Sequence, residues 1–387
     1  METFVYLDHN ATTEIYPAVK KAILHALDVT GNASSVHGAG RAARKLIEDS
    51  RESVAALVAT KPENVIFNSG GTESNNMAIR FFGNRIRKNR ILASAVEHDS
   101  VLKVSPNIEL IPVDNDGIVN LKALDEMLAL SSSSKGGNKT LVSVMLANNE
   151  TGVIQPIKEV VSVARHHGAL VHCDAVQAAG KVPIDINSLG VDFLSLSAHK
   201  IGGPAGVGAL VIKEGLTKII KLSPILYGGG QERGHRAGSE NISGIMGFGL
   251  AAKHALENLP KIKNLATLRD QVEEKLSIHK DVRIFGAGVS RLANTCNLTM
   301  PGVAADRQLI AFDLAGISLS AGSACSSGKV KPSHVLAAMG IVDEVSSTAI
   351  RISLGWTTKN QDIDRFIKVW NEIFKRSKSS LKKLEAA

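Results

Sequence analysis

Cysteine is scarce in this chain. Three thiols in 387 residues, Cys173, Cys296 and Cys325, cannot build a disulfide framework, and their spacing fits no metal knuckle. A reducing, cytoplasmic setting is therefore expected, with each thiol judged separately. Aromatic residues are also few, at 4%. No nucleic-acid motif accompanies the net charge of +8, so direct nucleic-acid binding is not expected. No run of 18 apolar residues is available to span a membrane. The opening METFVYLDHNATT has no basic segment leading into an apolar one, so a secretory leader is not expected. Part of the positive excess sits in KRSKSSLKKL (375–384), read as a solvated helix end that an acidic protein partner can also meet. The composition is 44% hydrophobic and 21% charged, enough for a large core and for more than one domain.

Apolar periodicity sets a rhythm along the chain. EIYPAVKKAILHALD (14–28) reads as a helix with an early proline, and 41–59 as a second one. Short apolar runs at 64–70, 90–97, 141–148, 169–177, 192–199 and 207–213 read as strands, several separated by helical stretches such as KEVVSVARHHG (158–168). Buried strands alternating with helices predict an α/β fold with a mainly parallel, doubly wound sheet. SSSSKGGNK (131–139) is expected to be a surface loop. After about residue 250 the pattern changes to helices at 249–259 and 264–278, strands near 295–300 and 317–320, and a last helix over 360–380. The expected division is a large domain over 16–257, with 1–15 and 258–387 forming a smaller α+β domain.

In open α/β sheets, ligands lie beyond the carboxyl ends of the strands. Five such ends carry dense polar chemistry, which a purely structural sheet does not need. Lys200 follows an apolar strand, where desolvation favours the neutral, nucleophilic amine; an isolated lysine there more often snorkels to water. Asp174 ends another strand and suits a protonated pyridine nitrogen, the partner that a pyridoxal cofactor requires; alone it is a turn or cap residue. GGTESNN (70–76) opens a helix, and its free N–H groups, the positive helix end and the Thr72 hydroxyl suit a phosphate dianion. His98 can stack on a planar ring or shuttle protons, although a lone histidine after a strand is commonly a satisfied turn residue.

Cys325 sits in SLSAGSACSSGKVKPSHV (318–335), where bulky side chains are nearly absent. That composition predicts an exposed loop, and Lys329 and Lys331 nearby favour the thiolate. Cys173 and Cys296 lie inside strand patterns and read as core residues. Arg351, in TAIRISLGW (348–356), lies on an apolar strand. A buried guanidinium needs a carboxylate, whether a structural partner or a ligand. GGGQERGHRAGSEN (228–241) is long and glycine-rich enough to reach across a subunit boundary.

YLDHNATT (6–13), GTESNN (71–76), EHDSV (97–101), NNETG (148–152), HCDAVQAAGK (172–181), SLSAHKIGGPAGVGAL (195–210), GGGQERGHRAGSEN, GSACSSG (322–328) and IRISLG (350–355), in this order, resemble the cysteine desulfurases of the NifS/IscS-like branch. The resemblance runs from about residue 5 to 358. It implies the fold type I architecture of pyridoxal 5'-phosphate enzymes, a homodimer, and conversion of L-cysteine to L-alanine. By the same resemblance Lys200 carries the cofactor, Asp174 pairs with its ring nitrogen, Gln177 donates to its phenolic oxygen and His98 stacks on it. Gly71, Thr72, Ser197 and His199 hold its phosphate. Ser239, where the family usually has threonine, reaches the phosphate from the other subunit. Asn149 and Arg351 hold the substrate, with Arg351 on its carboxylate. Cys325 takes the sulfur as a persulfide, and is also the only residue suggested as a transient iron–sulfur ligand; no resident metal is expected. The implied destination of the sulfur is an acceptor protein such as an iron–sulfur scaffold, or tRNA thiolation. A selenocysteine lyase or aminotransferase on the same fold, and a non-catalytic sulfur carrier, are the alternatives.

Overall fold

The computed structural model of the chain describes residues 4–81, 89–132, 140–219, 223–322 and 332–385. Its centre is a seven-stranded sheet built from β2 (Val65–Asn68), β3 (Arg90–Ser94), β4 (Ile108–Ile111), β5 (Thr140–Ser143), β6 (Leu170–Asp174), β7 (Phe193–Ser197) and β8 (Gly208–Ile212). The spatial order is β2-β8-β7-β6-β5-β3-β4. The run β7-β6-β5-β3-β4 is parallel. β8 runs antiparallel to both of its neighbours. The expected mainly parallel sheet is therefore present, with one reversed strand inserted near an edge.

Both faces of this sheet are covered, and the period of two shows it. Phe67, Leu92, Val142, Leu194 and Val211 join one core. Their immediate neighbours Ile66, Ile91, Leu141, Phe193 and Leu210 join another. That is why these strands read as unbroken apolar runs instead of alternating ones. The helices Gly38–Leu57 and Ile242–Ile262 pack against each other, and Pro17–Leu27 packs on the latter. Pro17 stands at the first turn, where its missing N–H costs nothing.

A further core gathers Leu7, Phe312, Ile350, Ile352, Phe366 and Trp370. Around it lie β9 (Thr295–Thr299) and β11 (Ala349–Ser353), which pair antiparallel. The helices Asn264–Leu276, Ala305–Leu314 and Asn360–Glu385 complete this part. β1 (Val5–Tyr6) pairs in parallel with β10 (Ile317–Ser318). Beyond β1 the chain stays threaded against β11: His9 N donates to Ser353 O and Ser353 N donates to Leu7 O. The segment 4–13 thus forms an arm bound to residues more than 300 positions away.

Two strands had no counterpart in the sequence reading. β1 has two residues, too few to carry a periodic signal, and it exists through its partner. β4 lies at the sheet edge with Leu110 exposed, so IELI lacks the apolar run of a central strand. Several strands also end earlier than expected. β3 stops at Ser94 and β5 at Ser143, which leaves Glu97–His98 and Asn148–Asn149–Glu150 in turns beyond them. Of the loop expected at 131–139, the first two residues still belong to the helix Leu121–Ser132; the rest lies outside the described residues.

Candidate active site

The strand ends meet in a cleft of about 490 Å³. Of the expected site residues, Gly71, Thr72, His98, Asn149, Asp174, Gln177, Ser197, His199, Lys200 and Arg351 all line it. Ser239 does not: it is exposed on its own chain. Cys325 lies outside the described residues, as do Lys329 and Lys331.

Lys200 closes a single 3-10 turn, Ala198–Lys200, that follows β7 directly. The turn swings the side chain over the sheet end, where Nζ donates to the backbone carbonyls of Asn10 at 2.5 Å and Ala11 at 2.8 Å. These acceptors come from the N-terminal arm and are uncharged. Asp174 is nearly buried. Its Oδ1 accepts from Val176 N at 2.9 Å, the turn role open to any aspartate at a strand end. Its Oδ2 accepts from Asn75 Nδ2 at 2.7 Å, and the same amide nitrogen donates to Ser100 Oγ at 2.8 Å.

His98 caps the short helix Asp99–Leu102, accepting at Nδ1 from Ser100 N at 3.1 Å. Ser100 Oγ lies 2.8 Å from the same nitrogen. A ring nitrogen that accepts a backbone N–H has no proton of its own, so the neutral ring carries its proton on Nε2. His98 is thus both the satisfied turn residue and a wall of the cleft.

The helix Gly71–Phe81 points its amino end into the cleft. A Cβ on Gly71 would stand 2.7 Å from Val176 Cγ2, so only glycine lets the backbone come this close. Arg351 is buried, with Nη1 donating to Asn149 O at 2.9 Å and Nη2 to Asp8 Oδ1 at 2.8 Å. Among the described residues its Nε has no hydrogen-bond partner. Ser320 Oγ donates to the other Asp8 oxygen at 2.7 Å. Asp8 therefore joins Arg351 to Ser320, two residues beyond β10.

Electrostatics divide the cleft. His199 is held down to about 4 by burial and by the nearby Lys200 and Lys181 charges, so its imidazole is neutral at physiological pH. Glu97, directly before His98, is fully buried, and burial followed by the Asp174 charge pushes its carboxyl well above the usual range. Its Oε1 accepts from Met145 N.

These groups fit pyridoxal 5'-phosphate. The helix N-terminus with Thr72, Ser197 and His199 supplies donors for a dianion. Asp174 supplies a buried carboxylate for a cationic ring nitrogen, and Lys200 an amine held by two backbone carbonyls. The close-approach glycine leaves the backbone open on the phosphate side.

Sequence reasoning assigned no role to Asp8, Asn10, Asn75, Glu97 or Lys181, although all five stood inside the quoted motifs and Glu97 was among the polar residues at the strand ends. Only Lys181 carried a local signal, its spacing of four from Gln177, which aligns side chains on one helical face.

A lysine and an aspartate on neighbouring ends of a mainly parallel sheet, with a helix N-terminus between donors, define a pyridoxal-phosphate enzyme of the α/β type. Residues 5–366 match the family model described as aminotransferase class-V, and the chain belongs to that family. A curated relative, the cysteine desulfurase IscS of Dictyoglomus turgidum, is 39% identical over 97% of this chain and 96% of its own length. Among solved structures, a NifS-like protein from Rickettsia africae superposes with a TM-score of 0.87 at 38% identity, covering 96% of this chain and all of that one. A protein solved as SspA in complex with cysteine matches with a TM-score of 0.75 at 28% identity over 91% of this chain and 99% of that one.

Proposed function

We propose that this cleft is where the chain, a pyridoxal-phosphate-dependent cysteine desulfurase, converts L-cysteine to L-alanine and hands the sulfur to Cys325. One observation carries the assignment of residues: ten of the expected residues, drawn from segments far apart in sequence, line a single cleft. Pyridoxal 5'-phosphate, when bound, supplies an aldehyde for an amine and a cationic ring that withdraws electrons from the substrate. Lys200 holds it and moves the proton at the substrate Cα. Asp174 keeps the proton on the ring nitrogen, with its own position fixed by Asn75. Gly71, Thr72, Ser197 and His199 bind the phosphate, His199 as a neutral donor. Arg351 and Asn149 orient the substrate carboxylate, and His98 stands at the wall with its Nε2–H turned outward from its cap.

Cys325 receives the sulfur. Its thiolate attacks the sulfur of the bound cysteine, an S–S bond forms, the substrate C–S bond breaks, and protonation at carbon leaves L-alanine. Elimination supports this role. The thiols of Cys173 and Cys296 are fully buried and are pushed up by burial, which makes both poor nucleophiles. Ser239 lies in a segment pinned at its base by Arg236 to Glu73 and by Glu232 to Arg51. In a homodimer this segment is the one to complete the phosphate site of the other subunit. Beyond the enzyme, a scaffold protein for iron–sulfur clusters is the proposed sulfur acceptor.

The test is a comparison of wild type, Lys200→Ala and Cys325→Ser, loaded with cofactor and given L-cysteine. With excess dithiothreitol present to reduce the Cys325 persulfide, wild type forms alanine and sulfide in equal amounts. Cys325→Ser keeps the visible absorbance of the bound cofactor, about 420 nm by the chemistry of a lysine-linked pyridoxal, and loses almost all sulfide release. Lys200→Ala loses both. Robust sulfide release by Cys325→Ser removes that thiol from the reaction. Selenocysteine and cysteine sulfinate as parallel substrates separate desulfuration from the selenium-specific activity.

A further inference from the structure

Lys181 is a second lysine at this site, and its contacts form a pattern that packing does not explain. Its Nζ donates to Gln177 Oε1 at 2.8 Å and to Asn10 Oδ1 at 3.3 Å. Gln177 Nε2 donates to the Asn10 backbone carbonyl at 2.8 Å, the same oxygen that accepts from Lys200 Nζ. Asn10 is itself fixed: its Nδ2 donates to Thr295 Oγ1 at 2.9 Å, and Asn294 Nδ2 donates to its Oδ1 at 3.1 Å. Lys181 and Lys200 therefore meet at one residue, one on its side chain and the other on its main chain. The two lysines also line a second cavity of about 40 Å³, room for a few water molecules.

No carboxylate is among the hydrogen-bond partners of Lys181 in the described residues. The charges that act on it are Lys200 and Arg351, both cations, and burial together with these holds its amine well below the usual lysine range. His9 and His199 feel the same amine. A cation placed among cations is costly for the fold, and a methionine would fill the space without that cost.

The chemistry of the Gln177 amide supplies a reason. A glutamine has an accepting edge and a donating edge, and its partners decide which way each faces. Lys181 donates to Oε1, and the Asn10 carbonyl accepts from Nε2. A flipped amide would set N–H against a donor and C=O against a carbonyl. Gln177 lines the cleft, and among the described residues its Nε2 has the Asn10 carbonyl as its one acceptor, which leaves a second N–H for a ligand.

We propose that Lys181 is a positioning residue for the cofactor, locking Gln177 with its free N–H available to the phenolic oxygen and fixing, through Asn10, where the Lys200 amine waits. This rests on the cofactor reading of the cleft, and the experiment separates the two. Borohydride reduction of the loaded wild type, followed by peptide mass analysis, shows the pyridoxyl adduct on Lys200. Its absence there overturns the cofactor reading and, with it, this one. Given that adduct, the cofactor dissociation constant and the pH midpoint of the bound cofactor's visible absorbance are measured for wild type, Lys181→Met, Lys181→Arg and Lys181→Gln, with thermal melts of each apoprotein. Lys181→Met leaves a buried acceptor on Gln177 without its donor, so cofactor affinity drops about tenfold. Its absorbance midpoint rises, because the phenolic oxygen loses part of its hydrogen bonding and holds a proton more firmly. Lys181→Arg and Lys181→Gln, which both offer an N–H to Oε1, stay close to wild type. A methionine variant that binds and titrates as wild type overturns the proposal. So does an arginine variant that loses as much as the methionine one while its melt is unchanged. Should Lys181→Met fail to fold, a loss of affinity in both donor-bearing variants has the same meaning, and its retention in both supports the lock.

Discussion

Glu97 shows how one side chain departs from its textual neighbourhood. It stands in EHDSV beside a histidine, yet it is wholly buried and its Oε2 has no hydrogen-bond partner among the described residues. Its carboxyl is raised by burial and by the Asp174 charge. An acid raised in the folded state costs stability at every pH above its unfolded value, because folding must then take up a proton. Glu97→Gln removes that cost. The variant is expected to have a higher urea midpoint than wild type at pH 7, an advantage that fades below about pH 4.5 where both states are protonated. A lower midpoint at pH 7 would contradict the raised carboxyl. The two buried thiols give a second expectation at this scale: iodoacetamide under native conditions leaves Cys173 and Cys296 unmodified, and denaturant exposes both to labelling. The chemistry of Lys200, Asp174 and Arg351 was legible because each is a polar group inside an apolar run. Asn75 and Asn10 were not, because the target of a small amide is decided by what the fold brings near it, here Asp174 for Asn75 and Thr295 for Asn10, 99 and 285 positions away.

At the scale of elements, the segment 228–241 is held by one buried ion pair. Arg51, on the helix Gly38–Leu57, meets Glu232 through two hydrogen bonds of 2.7 and 2.8 Å. Glu232 also accepts from Phe67 N on β2, at 2.8 Å. Glu232 and Arg233 adopt positive φ of 46° and 56°, a conformation that side chains occupy at some cost. The anchor offsets that strain. Glu232→Ala leaves the buried Arg51 guanidinium with only Glu48 and the Val65 carbonyl as hydrogen-bond partners among the described residues, and a loss of about 3 kcal/mol is expected, read as a lower urea midpoint. Arg51→Met combined with Glu232→Met recovers a large part of it. A single mutant within about 0.5 kcal/mol of wild type would show the pair to be dispensable. The glycine-rich composition of this stretch advertised reach, and it hid the anchor: nothing local marks Glu232 as the partner of a residue 181 positions earlier. The central strands, by contrast, were legible as elements, since burial on both faces writes itself as a continuous apolar run. Edge strand β4 and the two-residue β1 lacked that signature.

For the whole molecule, acid is the condition to which the fold is most exposed. His9, His172 and His199 are each held at about 4, with burial the first cause in every case. Between about pH 6.5 and pH 4 the unfolded chain binds protons that the folded chain refuses. Stability is therefore complete above about 6.5 and falls as pH drops through that window, by on the order of 3 kcal/mol for each such histidine. Urea midpoints at pH 7, 5.5 and 4.5 measure the slope, and His172→Gln is expected to flatten it; equal slopes would assign the acid sensitivity to other groups.

The N-terminal arm also orders events in time. Asp8 and Asn10 leave the ribosome well before Asn294, Arg351 and Ser353, their partners. A nascent chain therefore cannot bring Lys200 and Arg351 to this arm together until residues past 351 have been translated. A chain that stops earlier is expected to leave the cleft without one wall.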